Sequence, residues 1–336
     1  MEETIRLVHG NGGRFSHELM ERYIMPHFKN DTLAKLHDGA QFAVPAGRMA
    51  FTTDSYVVTP QFFPGGNIGK LAVCGTVNDL AMNGAKPLYL SCGLILEEGL
   101  PMKTLDTVLA TMAQMAKDAD VSIVTGDTKV VEKGAVDGLY INTAGVGLIP
   151  ETIHIDPTRV KPGMKIIVSG SLGDHAIAVM GSRYELALPE TIKTDCAPLN
   201  HMVMAVLEAV GDKVAVMRDP TRGGLATTLY EIAGQAQVGI RVDEDTLPIH
   251  EEVLSVCSIL GYDPLYLANE GKAVFVVEGE VVDEVLDVLH KTKYGCEAAC
   301  IGEVLSNNIG KVGIKTVLGG VRLLEWLGDD QVPRIC

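Results

Sequence analysis

A chain of 336 residues that is 47% hydrophobic, 21% charged and only 5% aromatic, with 36 glycines, is long enough for two domains with buried cores and too apolar to be disordered. Its net charge of −15 sets a bulk field that repels nucleic acid and anionic membrane, so any phosphate must be held locally by backbone N–H groups, a few lysines and a metal. No run of about 18 apolar residues is present and the N-terminus "MEETIRLVHG" has no secretory pattern, so neither nucleic acid nor membrane is an expected partner.

The first half alternates strands and helices. Residues 48–58, "RMAFTTDSYVV", read as a strand ending in a polar turn. "NIGKLAVCGTVNDLAMNGA" reads as a Gly/Ala-lined helix closing on Gly84, and "PLYLSCGLIL" as a buried strand. "PMKTLDTVLATMAQMAKDA" is amphipathic with Pro101 at its start, and "VSIVTGDTKVV" and "GLYINTAGVGLI" are two further strands. The Pro- and charge-rich stretch "PETIHIDPTRVKPG" marks a domain boundary near 150–163.

The second half restarts with the strand "MKIIVSG". Helices are expected around 174–181, 198–210 and 223–236, followed by strands "GIRVD" and "KAVFVVEG". The helix "VVDEVLDVLHKT" and strands "AACIGEV" and "VGIKTV" complete the series. The chain therefore reads as an N-terminal α/β domain over 1–155 and a C-terminal α+β domain over 156–325. A polar, Pro-broken tail at 326–336 is expected to be mobile.

Standard phosphate motifs fail. "GGNIGKL" is one residue short of a P-loop and has Leu where Ser or Thr is needed, and "HGNGGRF" follows no strand. What remains is a set of aspartates at strand and helix edges: Asp54 in "FTTDSY", Asp79 in "TVNDLA" and Asp127 in "TGDTK", with Lys129 two residues on. Each alone reads as a turn or a cap. Three in one domain suit magnesium, whose hard oxygen ligands let an acidic protein accept a triphosphate. "HGNGG" either folds over the phosphates with its free N–H groups or is a disordered N-terminus.

Farther on, "RDPTRGG" carries Arg218, Asp219 and Arg222 ahead of a helix, and "LANEGK" places Glu270 and Lys272 at a turn. His9 and His175 are the two histidines whose settings suggest a site. The seven cysteines are odd in number and lack a Cys-x-x-Cys, which fits core thiols in a reduced cytoplasm. Cys296 and Cys300 have no second ligand pair and read as ordinary thiols. Cys336 ends the chain in "PRIC", where an open thiol is an oxidation liability unless the tail handles something.

In order along the chain, "HGNGG", "FTTDSYVV", "GGNIGKLAVCGTVNDLAMNGAKPLYLS", "VTGDTKVV", "RDPTRGG", "ANEGK", "IGEV" and "PRIC" resemble the HypE family of hydrogenase maturation proteins. That family lies in the superfamily of aminoimidazole ribonucleotide synthetase, selenophosphate synthetase and thiamine-monophosphate kinase. The resemblance implies a four-stranded sheet in the N-terminal domain that pairs with a second copy into a barrel, giving a homodimer. It also implies ATP at that domain's border with the C-terminal one.

The resemblance further implies that the carbamoyltransferase HypF loads a carbamoyl group onto Cys336. An ATP-dependent dehydration then gives an S-thiocyanate, whose cyano group passes to the iron of NiFe-hydrogenase through a HypC–HypD complex. Asp54, Asp79 and Asp127 become magnesium and phosphate ligands, and His9, Gly10, Gly12, Gly13, Asn78, Gly126 and Arg222 nucleotide contacts. Lys129 neutralises the transferred phosphoryl, and Glu270 is the candidate base, although a magnesium role fits it as well.

A mobile tail suits this scheme. Six extended residues from Gln331 reach roughly 20 Å at about 3.3 Å each, so one thiol can visit both a loading partner and ATP. Two rival readings are a small-molecule ATP enzyme of the same superfamily, which has no need of Cys336, and a non-catalytic maturation scaffold, which leaves the Asp and Lys set without a purpose.

Overall fold

The computed structural model describes residues 4–10, 13–35, 39–43, 46–326, 332 and 334–336. Gly12 and Pro333, together with most of the expected mobile tail, lie outside the described residues. The N-terminal stretch is helical: α1 (Arg14–Leu19) runs through wider turns at Met20–Ile24 into α2 (Met25–Phe28). Then come β1 (Arg48–Tyr56), the short β2 (Phe62–Phe63) and β3 (Gly66–Asn67), and α3 (Ile68–Met82). β4 (Lys86–Glu97), α4 (Met102–Asp118), β5 (Ser122–Val131) and β6 (Leu139–Ile149) complete this half.

The first sheet has the order β1–β6–β4–β5, antiparallel except for the parallel β4–β5 pair. Helix α3 explains how the layers close. It is apolar on every side and almost wholly buried, as expected for a helix with protein all round it. It packs on β1 and β6, on α4, and on elements of the second half. Its small residues allow that approach: a Cβ on Gly75 would stand 2.3 Å from the Tyr56 hydroxyl. The helix ends as expected, with Gly84 at φ +73°.

The other face of this sheet is more open, with Met49, Phe51 and Ile95 at its surface and Phe51 72% exposed.

The second half builds β7 (Lys165–Val168), α5 (Asp174–Arg183), α6 (Asn200–Val210), β8 (Val214–Arg218), α7 (Gly224–Ala236) and β9 (Gly239–Asp243). After these come α8 (Glu251–Leu260), β10 (Val274–Val277), α9 (Val282–His290), β11 (Ala299–Leu305), β12 (Val312–Lys315) and β13 (Val321–Leu323). The strand order is β13–β12–β9–β11–β7–β10–β8, with β9–β12 the parallel pair.

Alternate side chains feed two cores, as strand geometry requires. Ile166, Val168, Val274 and Val276 meet α7, whereas Ile167, Phe275 and Val277 meet α6 and α9. A third core starts between the first sheet and α4 and continues into α5, Cys196, Leu267 and the tail residues Val332 and Ile335. The two halves are thus joined by shared apolar packing. Among the described residues no helix is long and apolar enough to cross a membrane.

Asn67 caps α3, accepting from the amides of Gly69 at 2.9 Å and Lys70 at 3.1 Å while donating to Thr111 on α4 at 2.8 Å. Asn67→Ala is expected to lower stability by about 1–2 kcal/mol, read as a shifted urea midpoint with an unchanged slope.

Candidate active site

Four segments converge where the halves meet. β1 delivers Asp54 near its end, and α3 delivers Asp79 in its last turn, where it accepts a 2.8 Å hydrogen bond from Thr52. The turn after β8 delivers Asp219 and Arg222, and the loop before β10 delivers Glu270. The guanidinium of Arg222 lies 3.6 Å from the Asp54 carboxylate.

These carboxylates act on one another. Burial pushes the Asp79 pKa up, a shift that Thr52 opposes and Asp54 reinforces. Asp219 keeps some open surface but lies deep in the junction, and desolvation followed by Asp79 pushes its carboxyl up to about 7. Glu270 is 4% exposed and is held well above the usual carboxylate range, first by burial and then by Cys196, Asp219, Asp195 and Asp54. Its Oε1 has no hydrogen-bond partner.

The loop holding Glu270 is tied in place by hydrogen bonds. The Asn78 amide donates to the carbonyls of Ala197 at 3.0 Å and Glu270 at 3.3 Å, and its oxygen accepts from the amide of Leu199 at 2.8 Å. The Glu270 amide donates to Asp195 at 3.0 Å. Asn78, expected at the nucleotide, is therefore engaged by main-chain groups that aim Glu270.

Cys336 enters this junction. Its main-chain carboxylate oxygen accepts from the amide of Val57 at 3.2 Å. Its thiol, half-buried, is pushed up to about 12 by burial first and then by Glu270, whereas Arg222, which hydrogen-bonds it, works in the opposite direction. Ile335 and Val332, 5% and 6% exposed, plug into the shared core beside it.

The remaining candidates lie elsewhere in the chain. β5 sits at the far edge of the sheet from β1, with β6 and β4 between them, so Asp127 is roughly 14 Å from the Asp54 edge at standard strand spacing. Asp127 and Lys129 are exposed and paired with each other at 2.9 Å, and that bond holds the Asp127 carboxyl below its usual range. Gly126 is pressed on β4, where a Cβ would stand 2.3 Å from the Cys92 carbonyl.

His9 is buried and accepts from the amide of Arg6 at 3.0 Å. Gly10 packs on Val130, and Gly13 caps α1 in an extended conformation. A cavity of about 800 Å³ opens between the N-terminal helices and this strand, lined by Met20, Ile24, Phe28, Leu94, Gly126 and Asp127.

Two sets result: Asp54, Asp79, Asn78, Arg222, Glu270 and Cys336 at the junction, and His9, Gly10, Gly126, Asp127 and Lys129 at the β5 edge. Among the described residues no three His, Cys, Asp or Glu side chains close to ligand distance around one point. Sequence reading treated Asp219 as part of a helix start and did not single out Asp195, because nothing local in "RDPTRGG" or "KTDCAP" announces burial.

The raised Asp219 pKa sets a pH dependence. From its ordinary 3.8 to about 7, the folded state binds more protons than the unfolded one. The stability that Asp219 contributes is therefore full below pH about 4 and is lost as pH rises through about 7. Asp219→Asn is expected to flatten that decline and to raise the melting temperature at pH 8, measured by calorimetry from pH 4 to 8.

Against known proteins, residues 36–149 match the family described as AIR synthase related protein, N-terminal domain, and residues 161–315 match its C-terminal domain. The chain is 48% identical over 332 residues to the carbamoyl dehydratase HypE of Rhizobium leguminosarum bv. viciae, spanning 99% of this chain and 95% of the relative. A crystal structure of the hydrogenase maturation protein HypE in complex with ATP superposes with a TM-score of 0.95 at 48% identity, covering 98% of this chain and 99% of that one. A chain from a crystal structure of a HypE–HypF complex gives 0.81 at 44% identity, with 93% of this chain and 99% of that one covered.

Proposed function

Because the chain belongs to the HypE family of carbamoyl dehydratases, we propose that it serves hydrogenase maturation by dehydrating an S-carboxamide on its own Cys336, with ATP, to an S-bound thiocyanate. The observation that carries this reading is the Cys336 thiol within electrostatic reach of Glu270, a buried carboxyl group whose Oε1 has no hydrogen-bond partner.

The chemistry explains the arrangement. Oxygen is a poor leaving group from –S–C(=O)NH2. Transfer of the γ-phosphoryl from ATP breaks the bond to ADP and forms a C–O–P linkage; loss of phosphate then breaks the C–O bond while the two N–H protons depart and C≡N forms. A group must take a proton at that nitrogen. Glu270, with its pKa raised by burial, is a stronger base once ionised than a solvated carboxylate, and it is within electrostatic reach of the thiol. Arg222 orients the tail end, and Lys129 is proposed to neutralise the transferred phosphoryl.

The crowded carboxylates at the junction suit a hard cation, since hard oxygen donors with raised pKa values are relieved by positive charge. Asp54 and Asp79, with Asp127, are the residues proposed to hold magnesium, which when bound neutralises phosphate charge. The ATP-bound relative and the large cavity beside Gly126 and Asp127 support a nucleotide site on the first sheet. The division into a nucleotide-binding domain over 1–155, a second domain over 156–325 and a tail over 326–336 belongs to the same proposal.

The open sheet face bearing Met49 and Phe51 supports a homodimer built by pairing that face with a second copy. Such pairing gives the Asp127 edge of one copy a route to the Asp54 edge of the other. The HypE–HypF complex of a relative supports HypF as the loading partner, reached when the tail swings out. The HypC–HypD complex is the proposed acceptor of the cyano group. The cytoplasm, which keeps thiols reduced, is the fitting compartment.

Intact-protein mass spectrometry with HypF, carbamoyl phosphate and magnesium-ATP is expected to show a gain of about 43 Da at Cys336 followed by a loss of about 18 Da that requires ATP. Glu270→Gln is expected to stop after the first change. No modification of Cys336 under conditions that load another acceptor would sink the proposal in favour of a small-molecule enzyme of the same superfamily.

A further inference from the structure

Helix α5, whose His175 stood out in the sequence without a role, touches the tail at two points. His175, fully buried, places Nε2 at 3.0 Å from the Ile335 carbonyl and Nδ1 at 2.7 Å from the Thr194 hydroxyl. Two helical turns on, Arg183 donates from Nη2 to the Arg334 carbonyl at 2.6 Å and from Nε to the Thr59 carbonyl at 2.8 Å.

The hydrogen-bond network assigns the ring's tautomer. The Ile335 carbonyl can only accept, so the proton of the neutral ring sits on Nε2 and Nδ1 accepts from the Thr194 hydroxyl, whose oxygen in turn accepts from the amide of Cys196 at 3.0 Å. Burial holds the ring neutral, and the edge of Phe63 at 5.6 Å fixes its plane.

We propose that His175 and Arg183 are positioning residues that hold the tail in the reacting place by gripping the carbonyls of Ile335 and Arg334. The inference rests on the dehydration proposed above. The grip addresses only main chain, so it is indifferent to what the sulfur carries: a free thiol, a carboxamide and a thiocyanate are all held alike. The tail contributes a second hold through its own Arg334, which donates to the Val57 carbonyl at 3.0 Å and pairs with Asp137 at 2.6 Å. Arg334 adopts φ +53°, a left-handed conformation unfavourable for a side chain larger than glycine. That turn feeds Ile335 into the core and Cys336 toward Glu270, and it relaxes when the tail leaves.

The test compares His175→Leu with His175→Gln, whose amide restores a donor near the Nε2 position, and Arg183→Met with Arg183→Lys. The first readout is iodoacetamide labelling of Cys336 relative to the exposed Cys296 in the same molecule, quantified by peptide mass spectrometry. His175→Leu and Arg183→Met are expected to raise that ratio about tenfold, the worth of one buried hydrogen bond, with the Gln and Lys variants recovering part of it.

The second readout is the ATP-dependent step on tail already carrying the carboxamide, expected to slow by a similar factor while loading is no slower. An unchanged labelling ratio in folded Arg183→Met and His175→Leu proteins overturns the proposal. The labelling ratio reads the grip without any reaction, so it separates failure of this inference from failure of the dehydration reading.

Discussion

Desolvating several carboxylates together at one junction is the constraint on which the rest of the structure depends. They come from four segments: Asp54 helps raise the pKa values of Asp79, Asp219 and Glu270, Asp79 adds to that of Asp219, and Asp219 to that of Glu270. Like charges in a poorly hydrated space are unfavourable, so the surrounding fold must hold them there. Helix α3, buried on nearly all sides, fixes Asp79 and Asn78. Asn78 in turn clamps the Glu270 loop to the segment before α6. The shared apolar core continues from the first sheet into α5, so the halves cannot part without exposing it.

The tail fits this constraint from the other side. It brings a neutral thiol, held protonated by burial and by Glu270, into a space already rich in negative charge. Arg222 opposes the rise in the thiol's pKa, and Arg218 offsets the negative charge of Asp79 and Asp219. Specific donors on α5 and the apolar anchors Val332 and Ile335 supply further attraction. Docking thus combines backbone hydrogen bonds and apolar burial with the Arg334–Asp137 ion pair and the Arg222 guanidinium beside Cys336.

Much of this was legible in the sequence, and the legible parts share a cause. Local patterning marked β1, α3, β4, α4, β5 and β6, because period and end signals such as Pro101 and Gly84 are written within each segment. The strand β8 and the helix α8 escaped notice. In α8 the apolar residues Val253, Val256, Cys257 and Leu260 do recur at helical spacing, and that signal was passed over in so short a segment. The aspartates, Glu270 and Cys336 were identifiable as chemistry-bearing residues, but their grouping was not. Asp54 and Asp127 lie on opposite sheet edges because β6 and β4 insert between them, an order no spacing rule reveals. His175 and Arg183 act through contacts more than 150 positions away along the chain, which composition and periodicity do not encode.

The most direct measurement is the titration of the Cys336 thiol itself, followed by NMR on protein labelled with 13C at cysteine Cβ and assigned by Cys336→Ser. The account expects the Cys336 resonance to stay in its protonated position through pH 10, consistent with a pKa pushed up to about 12. Glu270→Gln, which removes the second largest cause of that shift, should bring the titration down. A Cys336 thiol that titrates near 9, the ordinary cysteine value, and ignores the Glu270 substitution would contradict the placement of this sulfur in the carboxylate junction.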